Sequence, residues 1–157
     1  MKPKVYVETT VISYLTARPS RDVVVAGHQQ TTREWWRTCR ERFELVASQL
    51  VLGEAAAGDA EMARERMEVL GTLTLLAVTP EASALARRLV ESAAIPEKAA
   101  QDALHIGVAV TNGVAYLVTW NCRHLANAVL RTKIEEACRA AGYEPVAICT
   151  PEELLED

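Results

Sequence analysis

Val5-Tyr6-Val7-Glu8-Thr9-Thr10-Val11-Ile12-Ser13-Tyr14-Leu15 changes character at its acid. Val5-Tyr6-Val7 is a short β-prone run that stops at Glu8. After it, Val11, Ile12 and Leu15 recur at helical spacing, and Thr9 and Thr10 are natural helix N-caps. The stretch therefore reads as a strand, a sharp turn and a helix, with Glu8 at the strand's end. Arg18-Pro19-Ser20-Arg21 breaks that helix.

The alternation repeats outward from there. A long helix is predicted from about Asp22 to Arg42, with Val24, His28, Thr31, Trp35 and Thr38/Cys39 along one side. Phe43 to Ala47 reads as a second strand. Ser48 then caps a helix through Leu50, Val51, Glu54 and Ala55, closed by Gly58-Asp59. Glu61 to Leu70 is helical, and Leu73 to Val78 is a third strand. Pro80 suits the first turn of a helix reaching about Ala93. A further helix runs from Glu97 to Thr111 and stops at Asn112-Gly113. Ala115 to Thr119 is a fourth strand, Asn127 to Ala141 a helix with a Gly142 stop, and Pro145 to Cys149 a last strand. Strands separated by helices call for a parallel sheet with helices on both faces and right-handed crossovers. No internal repeat, low-complexity segment or linker divides the chain. One domain over residues 1–157 is expected, with a short acidic tail from about residue 150.

Composition is ordinary for a globular protein: of 157 residues, 50% are hydrophobic and 24% charged, enough apolar material for one core. No apolar run approaches the roughly 18 residues of a membrane span, and the stretch before Glu8 is too short for a signal-peptide core. A cytoplasmic protein is expected. Cys39, Cys122, Cys138 and Cys149 show no CxxC spacing and no companion His cluster, which argues against zinc and against a disulfide framework. The net charge of −4 is concentrated at the end. Glu144, Glu152, Glu153, Glu156 and Asp157 follow Arg139, and no Lys or Arg accompanies them. Global charge therefore does not exclude a nucleic-acid partner, because local fields steer binding.

In an open parallel sheet, sites form beyond the C-terminal strand ends. Glu8 falls there, and so does Asn121, after Leu117-Val118-Thr119-Trp120. Asp102 opens Ala99-Ala100-Gln101-Asp102-Ala103-Leu104-His105-Ile106-Gly107-Val108-Ala109-Val110. That helix is apolar on most faces and should be largely buried. Glu54 lies in Leu50-Val51-Leu52-Gly53-Glu54-Ala55-Ala56-Ala57 with no basic neighbour in sequence. Each has a bland alternative: solvated strand end, helix cap, exposed helical Glu, turn residue. Gathered in one cleft they would repel one another, and a divalent cation removes that cost. Oxygen ligands suit Mg²⁺ or Mn²⁺. No Gly-rich phosphate loop and no GxSxG is present. His105 reads as packed in its helix and His124 as a helix-start residue, with Arg123 and His124 as the alternative contacts to RNA phosphate. Arg18, Arg21, Arg33 and Arg37 are further candidates for an RNA path, and Trp35-Trp36 for stacking bases or for core packing.

At these residues the sequence resembles the PIN domain family, in its VapC-like bacterial toxin branch. The carriers are Val5 to Ser13, Ser48 to Glu54, Asp102-Ala103-Leu104-His105-Ile106, and Leu117 to Asn127. The resemblance spans nearly the whole chain. It implies an α/β fold: a three-layer α/β/α sandwich with a central parallel sheet. It also implies an Mg²⁺- or Mn²⁺-dependent endoribonuclease, the toxin of a type II toxin–antitoxin pair, acting as a homodimer with a small antitoxin protein. By the same resemblance Glu8, Glu54, Asp102 and Asn121 are the catalytic and metal-binding positions, and Thr9 supports the first acid. Two positions depart from the family's pattern. Glu8 stands for an Asp and reaches one methylene further; Asn121 stands where an acid is common and adds no charge. Three formal negatives then favour one metal over two. Those departures also motivate the rival reading, a PIN-fold module that binds RNA or a protein without cutting.

Overall fold

A computed structural model describes residues 1–156; Asp157, the last acid of the tail, lies outside the described residues. The elements alternate along the chain. Strand β1 (Lys4–Val7) leads into helices α1 (Thr9–Thr16) and α2 (Val23–Arg42). Strand β2 (Glu44–Ser48) is followed by α3 (Gln49–Ala55) and α4 (Ala60–Leu70), and β3 (Thr74–Leu76) by α5 (Pro80–Glu91) and α6 (Ala100–Thr111). Then come β4 (Tyr116–Val118), α7 (Ala128–Ala140) and β5 (Ala147–Cys149).

All neighbouring strands are parallel, in the order β3-β2-β1-β4-β5. Handedness then fixes the layers. The chain steps from β1 to β2 to β3 in one direction, then returns to β4 and on to β5 in the other. Right-handed crossovers place connections that run in opposite directions on opposite faces. The helices accordingly pack as two groups, α1 to α4 and α5 to α7. This is the three-layer α/β/α sandwich around a parallel sheet. The central strand is the most enclosed, with Val5, Tyr6 and Val7 fully buried, as expected when helices cover both faces.

Several local readings are corrected. Glu8, not Thr9 or Thr10, is the N-cap of α1: its carboxylate accepts from Thr10 N at 3.1 Å. The buried side of α2 is Gln29, Thr32, Trp35 and Cys39, whereas Val24 is 66% exposed and Thr38 lies outward. The rotation follows from α1, against which α2 packs, and from Gln29, which bonds Ser20 N and Arg18 O and so closes the α1–α2 loop. Strand β3 stops at Leu76 because its partner Ser48 is the last residue of β2 and already caps α3. The helix expected from Glu97 begins as a 3₁₀ turn, Glu97–Ala99, before α6 proper. The acidic tail is also structured in part. Pro151–Leu154 forms a 3₁₀ turn with Pro151 and Leu154 buried. Arg42 holds it, donating from Nη1 to Leu154 O at 2.5 Å and pairing through Nε with Glu156 at 2.9 Å.

Candidate active site

The strand order reverses between β1 and β4, and the crevice beyond their C-terminal ends is where open α/β sheets place ligands. Glu8 sits there at the end of β1, its N–H donating to Val118 O of β4 at 3.1 Å. The residue is 4% exposed. Its Oε1 accepts the Thr10 hydroxyl at 2.6 Å and the Thr119 hydroxyl at 2.5 Å, while Oε2 accepts only Thr10 N. Both hydroxyls are themselves aimed by backbone donors: Trp120 N to Thr10 Oγ1 at 2.8 Å, and Asn121 N to Thr119 Oγ1 at 2.9 Å. A buried carboxylate persists only when so satisfied. The bonds on Oε1 fix its direction and leave lone pairs on Oε2.

Glu54 reaches the same crevice from the last turn of α3. Its Oε1 accepts from His105 Nε2 at 2.9 Å and from the Thr9 hydroxyl. Thr9 thus braces Glu54, whereas Thr10 and Thr119 brace Glu8. Burial raises the pKa of the Glu54 carboxyl. The hydrogen bond and electrostatic pull of His105, with help from Thr9 and Gln101, outweigh that and hold it below the ordinary carboxylate value. Glu54 is therefore ionised at neutral pH.

His105, 1% exposed, is the member of this group that the sequence reading set aside as packing. It stands one turn after Asp102 on the same side of α6. Its Nδ1 meets the Tyr6 hydroxyl at 2.7 Å, and that hydroxyl meets Ser48 Oγ at 2.6 Å. One donor atom from each of Glu8, Glu54 and His105 lies within 4.8 Å of the other two. An ionised Glu54 calls for a proton on His105 Nε2, and a proton there bars that nitrogen from ligating a metal. The two carboxylates fit a hard divalent cation. Ligand oxygens about 2.1 Å from one ion stand at most roughly 4.2 Å apart, so a small contraction of the pair suffices.

The other expected residues lie alongside. Asp102 is not among the three groups that meet within 4.8 Å. It pairs with His124 Nδ1 at 3.3 Å, both side chains about one-fifth exposed. Asn121 commits Oδ1 to the turn it begins, accepting from Arg123 N at 3.2 Å and His124 N at 3.1 Å. It therefore stands beside the carboxylate pair and orders the loop bearing Arg123, which is exposed, and His124. Trp35 is fully buried and unavailable to bases, and Trp36 packs on the core beneath Arg40. Of the proposed cations, Arg33 turns to Ala17 O at 3.2 Å, and Arg18 makes a loose exposed pair with Glu61 at 3.8 Å. The missed residues had a faint signal: Tyr6 is a hydroxyl inside an apolar central strand, and His105 is a polar residue inside an apolar helix. Either must find a buried partner.

No protein-family model matches the sequence, and no curated protein matches it. Among solved structures, one chain of the crystal structure of VapBC2 from Rickettsia felis bound to a DNA fragment from their promoter superposes with a TM-score of 0.60. The match covers 94% of this chain and 98% of that one, at 13% identity. The fold is PIN-like and VapC-like. At that identity the likeness speaks for the architecture alone. Within this PIN-like frame Glu8 and Glu54 meet near the strand-order reversal, the place where such a sheet offers a site. No helix of the described residues is long and apolar enough to cross a membrane.

Proposed function

We propose that the chain is a metal-dependent endoribonuclease that hydrolyses RNA phosphodiester bonds, acting as the toxin of a type II toxin–antitoxin pair. The observation that carries this is the convergence of Glu8 and Glu54 at the strand-order reversal of a PIN-like sheet. Glu8 and Glu54 would hold Mg²⁺ or Mn²⁺, and Asp102, on the first turn of α6, would complete the acidic set. When bound, such an ion supplies Lewis acidity for the attack of water on a phosphodiester. Thr10 and Thr119 orient Glu8. His105 and Thr9 orient Glu54, and His124 faces Asp102. Arg123, exposed on the Asn121 loop, would meet substrate phosphate. The VapBC2 neighbour motivates a small antitoxin partner, and a homodimer is proposed with it.

The test is cleavage of a single-stranded RNA by purified protein in Mn²⁺, with Glu54→Gln and Asp102→Asn prepared identically. Each variant should lose at least a hundredfold in rate, as expected for loss of a metal ligand. Unchanged cleavage in both would trace the activity to a contaminant. The rival is a PIN-fold module that binds RNA or a protein without cutting, and the hydrogen-bond donors already engaged by Glu8 (Thr10 N and the Thr10 and Thr119 hydroxyls) and by Asn121 Oδ1 (Arg123 N and His124 N) favour it. RNA binding by the wild type with no cleavage at any Mn²⁺ concentration would decide for that module.

A further inference from the structure

Beside the carboxylates lies a set of rings that the proposed chemistry does not use. His28 of α2 stacks on Trp120, just past β4, with centroids 4.1 Å apart and planes 10° apart. Tyr14 of α1 flanks both, at 6.4 Å from His28 and 6.2 Å from Trp120, tilted by 21° and 22°. The remaining aromatic pairs of the described residues are edge-on: Tyr6–His105 at 71°, Trp35–Trp36 at 64° and Phe43–Tyr116 at 68°. Those pairs fill the core. In the parallel set Tyr14 and His28 are half-buried, and Trp120 beneath them is 9% exposed. The Trp120 indole N–H is fixed to Thr32 Oγ1 at 2.7 Å, so the floor of the stack is rigid.

Its position is tied to the acids. Trp120 N donates to Thr10 Oγ1, the same hydroxyl that donates to Glu8. Tyr14 follows Thr10 by four residues, on the same face of α1 and about 6 Å along its axis. Just past α1 come Arg18, whose side chain is 81% exposed, and exposed Arg21, in the loop that Gln29 braces. Acid, ring and cation thus succeed one another along α1 and the loop that follows it. Aromatic faces take bases of any identity, and a following positive charge takes the backbone, which is how single strands are bound without sequence readout.

We infer that Tyr14 and His28, seated on Trp120, form a stacking subsite for a base of single-stranded RNA, next to the nucleotide whose phosphate meets Glu8 and Glu54. Arg18 and Arg21 take the backbone beyond it. The inference rests on the nuclease reading for which phosphate meets the acids.

A hexaribonucleotide carrying 2-aminopurine at its centre tests this in EDTA, where no cleavage occurs. Binding should quench the fluorescence. Tyr14→Leu and His28→Leu should each weaken binding about tenfold, with Tyr14→Phe close to wild type. Replacing the probe's central base by an abasic site should cost about as much, a comparison that survives if a leucine variant fails to fold. Binding without quenching overturns the subsite, as does equal binding of the abasic strand. A leucine variant that changes only the elution volume of the protein assigns this face to a protein contact and overturns it too. Cleavage in Mn²⁺ is scored apart. Quenching without cleavage sinks the nuclease reading and leaves the subsite, and cleavage with an unquenched probe sinks the subsite alone.

Discussion

Tyr6 and Glu54 both bear on which nitrogen of His105 carries the proton. Burial pushes the Tyr6 phenol well above the ordinary tyrosine range, so it keeps its hydrogen. Ser48 Oγ accepts from Val51 N, which frees its own hydrogen for Tyr6. Tyr6 can then donate to Nδ1, and Nε2–H faces an ionised Glu54. In this assignment each polar side-chain atom along Ser48, Tyr6, His105 and Glu54 Oε1 has a partner of the right sense. Tyr6→Phe breaks the chain in the middle and leaves Nδ1 and Ser48 without it, which should cost about 1–3 kcal/mol of stability. Imidazole ¹⁵N shifts would show the Nε2–H form of His105 in the wild type and a loosened preference in the variant. An unchanged tautomer would mean that Glu54 alone sets it. Acid gives a second check, in metal-free protein. The folded carboxyl of Glu54 lies below its ordinary value of 4.5, so its contribution is complete above that pH and is lost as the pH falls through the lower folded value. Urea unfolding should therefore show wild type and Glu54→Gln converging below about pH 4.5, and a constant gap would contradict the pairing with His105. Glu8 and Glu54 were legible as candidates because an acid at a strand end, or in an apolar helix, stands out alone. The part of His105 was not, because its partners Tyr6 and Glu54 are 99 and 51 residues away.

Helix α6 carries both Asp102 and His105, so its seating against α5 sets where they point. The two helices pack backbone against backbone at Gly107. A Cβ there would stand 2.3 Å from Ala82 O and 3.1 Å from its carbonyl carbon, both backbone atoms that cannot swing aside. Ala82, Leu85 and Leu89 of α5 are buried along the same face. Gly107→Ala should therefore destabilise by about 1–3 kcal/mol, although alanine is the better helix former, because the helices must separate. Equilibrium unfolding in urea measures it. If separation displaces the first turn as well, the His124–Asp102 contact loosens, and the His124 ring resonances should shift in the same variant. A stability at or above wild type would show that the helices have room. Element types were readable from periodicity, since these strands and helices differ in period. Their ends were less so. The end of β3 is set by pairing with a strand that finishes at a cap, and the buried side of α2 by the loop that Gln29 closes. Neither is a property of the segment itself.

At the scale of the molecule, periodicity listed the strands without ordering them. The order β3-β2-β1-β4-β5 brings residues 8 and 119 together, although 111 positions separate them. That the acids share a crevice followed from the sequence only through the PIN resemblance and the general rule for open sheets. The same topology makes the whole fold a reporter on the site. Glu8 is anchored by β1 and β4 and Glu54 by α3, and unfolding scatters them along the chain. A cation held by both binds the folded state alone, and at a hundred times its dissociation constant adds about 2.7 kcal/mol. For a chain of this size that is a rise of roughly 5–10 °C in Tm. Millimolar Mn²⁺ should produce such a rise in the wild type and little or none in Glu8→Gln or Glu54→Gln. Asn121→Ala separates the two parts that Asn121 was given. Its Oδ1 is committed to Arg123 N and His124 N, so the variant should melt lower yet keep the Mn²⁺-induced rise. Loss of the rise in Asn121→Ala would instead make this side chain a ligand, and no rise in the wild type would remove the metal from Glu8 and Glu54 altogether.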